Sequence, residues 1–227
     1  MRKTIVKIFA GNTYSANSDV AGYQFQITKI AKVWHGNSYK DYGIERLFRL
    51  LLVTLFLFYP SILIENIFNS KTYIVKKLAV EGYVLSKTIF PLFIMIYGWY
   101  TIPFIYYLNI YLLTETYLYL FSKIFLAEHH ANTSNKRTLL LLIFNFIESA
   151  LTFAVIYLAG NYLNVPINDA IDAIYFSFVT SATVGFGDIH PITKMGKCIV
   201  IVQVLCSVSF IVLFFNFFSG EANHPSV

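Results

Sequence analysis

The run Thr183-Val184-Gly185-Phe186-Gly187-Asp188 places a hydroxyl, two glycines and a carboxylate side by side. These side chains do not make a catalytic pair, so the chemistry open to the run lies in its main chain. Glycine reaches backbone angles that other residues avoid, and glycines alternating with Val184 and Phe186 let successive carbonyls turn to one side. Carbonyl oxygens aimed at a common point can replace the water shell of a cation that sheds its hydration.

Such a loop has to be carried to the ion. The preceding stretch, 169–182, reads as a short helix capped by Asn168 or Asp169. At ~1.5 Å per residue it reaches roughly halfway through a bilayer. A half-length helix followed by glycines must enter a membrane and return. Non-helical backbone at that depth is tolerated only where it is buried in protein or lines a water-filled path. The helix would also turn its negative C-terminal end towards that path, which favours a cation there.

The composition supplies the membrane. Of 227 residues, 57% are hydrophobic and 13% charged, against about 25% charged in soluble domains. The net charge of +5 sits between apolar runs, as expected of loops facing anionic lipid rather than of a nucleic-acid surface. The sequence predicts a cytoplasmic N-terminal arm over 1–45, in which the alternation at Tyr23–Ile27 is compatible with a short strand, and a first span over Leu47–Ile64. A polar connection over 65–87, with Lys71, Lys76, Lys77 and Lys87, is expected on the outer side. The apolar region 88–126 has two readings: one span over 88–112 followed by an interfacial helix, or a hairpin of two spans turning near Gly98–Pro103. The first is favoured, so 46–127 is assigned to N-terminal transmembrane helices plus the interfacial helix. After a polar loop at Glu128–Arg137, spans are expected over Leu139–Ala159 and Lys197–Phe218, then a short tail, 220–227.

In its pore region the chain resembles the potassium-channel family. The resemblance rests on the filter 183–187, the helix before it, Asp188, the turn at His190-Pro191 and Gly196-Lys197 at the start of the last span. It implies an all-α integral membrane protein whose pore domain, 138–219, contains an outer helix (138–160), a pore helix (169–182), the filter and an inner helix (196–218). Two, or three, transmembrane helices precede it. The resemblance further implies potassium as the permeant ion, held by the carbonyls of Thr183, Val184, Gly185 and Phe186 with the Thr183 hydroxyl, and Gly187 completing the loop. No cofactor is implied. Asp188, Tyr175 and Thr180 would support the filter, with Tyr175 donating to Asp188 where the family usually has Trp. Phe186 stands for the commoner Tyr, Val179 for a frequent acid and Ala182 for a frequent Thr. A ring of carbonyls needs four such loops, so a homotetramer in a cell membrane, with both termini cytoplasmic, is expected.

Gating is less constrained. No span carries Arg or Lys at every third position, as a voltage-sensing ladder requires. The family's flexible glycine falls at Ser207, and Phe214, Phe215, Phe217 and Phe218 crowd the end of the last span; Ser207, Phe214 and Phe218 are the candidate gate. Glu148, in the middle of the third span, is an intramembrane carboxylate and a functional candidate, or a structural residue reaching Gln203 or the pore helix. Glu115 reads as an interfacial residue, His129 and His130 as a solvated pair, His190 as a turn residue, and Cys198 and Cys206 as small apolar helix residues too far apart to bridge. A poorly selective cation channel and a non-conducting regulatory subunit share the same architecture and stay open. No nucleophile elbow, P-loop or zinc-binding helix motif is present, which argues against an enzyme.

Overall fold

A computed structural model describes residues 27–28, 30–31, 33–34, 43–68, 73–125, 135–167 and 169–222. Most of the arm, the strand at Tyr23–Ile27 apart from Ile27, His129, His130, Asn168 and residues 223–227 lie outside the described residues. Ile27 and Thr28, at the end of that strand and just beyond it, are helical. All the long elements are helices. The chain divides into two compact units, Met1–Tyr83 and Val84–Val227, described here separately.

In the first unit, α1 (Ile44–Phe56) starts at Gly43 and carries an Arg49–Glu45 ion pair one turn apart, while Arg46 donates to the carbonyl of Trp34. The expected span over Leu47–Ile64 is not one helix. It breaks at Leu57–Tyr59, and α2 (Pro60–Ile67) begins with proline at its first position. Pro60 has no N–H for the carbonyl four residues back and its ring clashes there, while its fixed φ suits a helix start. Tyr59 is extended accordingly, with φ −104° and ψ 150°.

The helix α3 (Tyr73–Ile96) begins in the first unit and continues into the second. It overturns the polar connection expected over 65–87, since Lys87 sits within this helix rather than in an outer loop. It also overturns the favoured single span over 88–112. After Ile96 the chain turns through Gly98, at φ 69°, and a 3₁₀ turn at Trp99–Thr101, and α4 (Pro103–Phe125) leads away. The positive φ at Gly98 and the extended Ile102 before Pro103 stop one helix and start the next. The chain therefore forms a helical hairpin here, as in the second reading, and of its two arms Leu78–Ile96 is the one long and apolar enough to span. The interfacial helix is also replaced, because Tyr117 and Leu120 of α4 are buried in the core.

The remaining helices are α5 (Asn135–Ala159), α6 (Ala170–Ser181) and α7 (Lys194–Ala222). Two apolar clusters hold this unit together. In one, Tyr157, Phe176 and Phe210 meet Leu113 and Leu120 of α4; in the other, Ile94 and Met95 of α3 pack with Leu151, Ala154 and Val155 of α5 and Ala173 of α6. Among the described residues, Leu78–Ile96, Arg137–Ala159 and Lys194–Phe215 are long and apolar enough to cross a membrane, and α6 is a shorter apolar helix. The chain is a multi-pass membrane protein.

Candidate functional site

The helix α6 has 12 residues, about 18 Å. Asp169 caps it, its carboxylate accepting from the Ile171 N–H at 3.4 Å, and Asp172 adds negative charge in the first turn. Ala173, Phe176, Ser177 and Ser181 form its buried face. Ser177 donates to the Ala150 carbonyl of α5 at 2.6 Å, fixing the helix against the outer one.

At its C-terminal end the Ala182, Thr183 and Val184 amides donate to the carbonyls of Phe178, Thr180 and Val179 at 2.8, 3.0 and 3.0 Å. The backbone then alternates: Thr183, Gly185 and Gly187 have φ of 56°, 59° and 83°, in the left-handed region. For the β-branched Thr183 this costs about 1–2 kcal/mol, strain of the kind that clusters at functional sites. Alternation of hand from residue to residue is what turns successive carbonyls to one side. A Cβ on Gly185 or Gly187 would meet nothing within 4 Å, so within one subunit conformation, and not space, calls for glycine.

Side chains behind the loop hold its outer half. Tyr175 donates to Asp188 Oδ2 at 2.7 Å, and its ring stacks on Phe186 with centroids 6.4 Å apart and planes 2° from parallel. That hydroxyl, followed by the Ile189 N–H, holds the Asp188 carboxyl below the usual carboxylate range. Asn164, from the segment between α5 and α6, was not singled out by the sequence reading. Its side chain donates to the Asp188 carbonyl at 3.1 Å and accepts from the His190 N–H at 2.8 Å, while its own N–H donates to the His190 carbonyl at 2.9 Å. Thr193 opens α7, its hydroxyl accepting from the Gly196 N–H at 2.9 Å. A Cβ at Gly196 would lie 2.7 Å from the Tyr162 carbonyl oxygen, so this start of the inner helix admits only glycine.

A second buried network lies behind the end of α6. Gln203 of α7 reaches the Ser177 carbonyl at 2.8 Å, the Ser177 hydroxyl at 2.9 Å and the Ser181 hydroxyl at 2.8 Å. With two N–H groups its amide nitrogen shares these three acceptors. Tyr157 of α5 donates to Gln203 Oε1 at 2.6 Å. Outer, pore and inner helices thus meet at one fully buried amide. The signal available in the sequence was a lone Gln in an otherwise apolar span.

The candidate gate residues, seven and eleven residues apart in one helix, share a face of α7, and for Ser207 and Phe214 that face is turned to the core. Ser207 is buried and donates to the Gln203 carbonyl at 3.0 Å, Phe214 packs against the core, and Phe218 lies within α7. Phe215, by contrast, is exposed. Glu148 does not reach Gln203. It is buried with Lys87 of α3 and with Glu115 and Thr116 of α4; Glu115 is therefore a core residue, not an interfacial one. Cys198 and Cys206 are unbridged.

Residues 140–221 match the family model described as "Ion channel". This segment is an ion-channel pore domain, not an enzyme, and is distantly homologous to potassium channels. The chain is 42% identical over 71 residues to the hyperpolarization-activated voltage-gated potassium channel of Methanocaldococcus jannaschii, covering 31% of this chain and 32% of that protein. It is 37% identical over 82 residues to two-pore potassium channel 4 of Arabidopsis thaliana (35% and 29%), and 30% identical over 77 residues to two-pore potassium channel 5 of the same plant (30% and 19%). The chain thus spans less than a third of the length of these relatives. No solved structure matches it.

Proposed function

We propose that the chain is a subunit of a homotetrameric potassium-selective channel. The observation that carries this reading is the left-handed alternation at Thr183, Gly185 and Gly187 directly after a half-length helix. Carbonyls of Thr183, Val184, Gly185 and Phe186, with the Thr183 hydroxyl, would take the place of the ion's water shell. Tyr175, Asp188 and the Thr180 carbonyl brace them. The potassium-channel names of the relatives support the choice of ion. Voltage gating is not carried over from the archaeal relative, since no span here bears a ladder of positive residues.

On this reading two helices cross before the pore domain, α3 and α4, the second less apolar than the three spans named above, and they join outside at the uncharged, aromatic turn Tyr97–Tyr100. Lys76, Lys77, Lys123, Lys136 and Arg137 then all lie at cytoplasmic ends, as the positive-inside rule favours. Both termini are cytoplasmic.

Reconstitution of the full chain in liposomes under opposed potassium and sodium gradients tests the reading. A reversal potential near the potassium equilibrium value is expected. One set by both ions equally would replace potassium selectivity by a general cation pore, and silence would leave only a regulatory subunit.

A further inference from the structure

The inner helix α7 carries a single amide within its apolar stretch 198–215, at Gln203. It is fully buried, and a polar side chain inside a span is costly and by default a functional candidate. The Ser177 carbonyl, 2.8 Å from its Nε2, can only accept, so the NH2 end of the amide must face α6. Tyr157 must then donate to Oε1, 2.6 Å away, and the edge contact of its ring with Phe176, at 4.8 Å between centroids, holds that hydroxyl in place. The same nitrogen reaches the Ser181 hydroxyl at 2.8 Å. Ser177 and Ser181 stand one turn apart, so a single side chain of the inner helix holds the last turn of α6 at two points.

That turn carries the loop. Ser181 precedes Thr183 by two residues, and the Thr183 amide donates back to Thr180 at 3.0 Å with its backbone left-handed at φ 56°. A backbone so strained persists only where its surroundings fix it. The channel reading above, on which this inference rests, makes the carbonyl and hydroxyl of Thr183 the innermost ion ligands. Whether a filter selects by the size of its cage or by the field of its oxygens, discrimination depends on where those oxygens stand. We propose that Gln203 is a positioning residue for this innermost site: its amide fixes the end of α6 against α5 and α7, places Thr183, and so sets the preference for potassium over sodium. The amide touches no ion and acts through Ser177 and Ser181.

Reversal potentials of the full chain in liposomes, under opposed potassium and sodium gradients, read this placement. A variant that only folds less well gives fewer channels and less current at the same reversal potential, so a merely structural role does not move the readout. Gln203→Met keeps the length of the side chain and removes its amide. Its potassium-over-sodium permeability ratio should fall by about tenfold, the factor that one hydrogen bond's worth of free energy represents. Ser181→Ala, the milder change, should lower the ratio by a smaller factor. Tyr117→Phe removes a buried bond to Ser149 at 2.6 Å, between α4 and α5, and should leave the ratio unchanged. Size-exclusion elution identifies a variant that does not assemble; if Gln203→Met is one, Ser181→Ala alone decides. A wild-type ratio in either α6–α7 variant overturns the proposal. So does an equal fall in Tyr117→Phe, which would trace the loss to general loosening. A wild type without preference for potassium overturns the channel reading, and this inference with it; a selective wild type with unmoved variants overturns the inference alone.

Discussion

At the scale of single residues, the filter reading makes two demands that side-chain chemistry alone would not. Gly185 holds a left-handed φ of 59°, where an added Cβ costs about 1–2 kcal/mol. Gly185→Ala should therefore keep the assembled protein but lose preference for potassium over sodium in reversal-potential measurements; unchanged preference would remove 183–187 from the ion path. Tyr175→Phe keeps the ring on Phe186 and deletes only the bond to Asp188. A carboxyl held low stays ionised until pH falls through its lowered value, so the negative charge at the filter's outer end persists into acid. In the variant that protection goes, Asp188 protonates nearer the ordinary ~3.9, and the acid limb of potassium flux should move to higher external pH. An unmoved limb would mean that Asp188 takes no part. The place of Thr183 ahead of the glycines was legible, but its left-handed backbone was not, because nothing in a threonine announces φ 56°; its amide donates back to the Thr180 carbonyl there.

At the scale of elements, what could be read followed from local backbone rules, and what could not depended on partners distant in sequence. The caps of α6, the end of α5 at Gly160 and the start of α7 beside Gly196 follow from residue types near each boundary. The break at Pro60 was equally local, yet apolar continuity outweighed it in the reading of Leu47–Ile64. Lys87 was misplaced for a different reason. A linear scan ends an apolar run at a lysine, and only pairing with Glu115 and Glu148, from two other helices, lets that lysine lie mid-span. Gln203 shows the same dependence, since its partners come from α5 and α6. Gln203→Leu should leave the Tyr157 and Ser181 hydroxyls short of a buried partner, at about 1–3 kcal/mol for each orphaned group. The thermal stability of the solubilised protein should fall by that order. In a double-mutant cycle with Ser181→Ala the two losses should be coupled by roughly 0.5–3 kcal/mol. Additive losses would mean that the inner helix and the end of the pore helix are not joined through this amide.

For the whole molecule, the decisive fact is that residues 182–188 are exposed in the single chain. Irregular backbone at membrane depth does not face lipid, and in the proposed tetramer copies of the same loop cover it. Apolar residues of α7 recur on its exposed face at Ile201, Leu205, Val208, Val212 and Phe215, a surface that sister subunits can share. The number of copies is measurable by poisoning. If every pore needs a full ring of carbonyls, one Gly185→Ala subunit spoils it, and selective flux varies with the wild-type fraction raised to the number of subunits. For an equal mixture of wild-type and variant chains, co-expressed and reconstituted, a closed ring of four leaves roughly one sixteenth of the selective flux. A remainder of about one quarter would indicate two chains per pore, and about one half would mean that each chain conducts alone, ending the tetramer and with it the shared ion path on its axis.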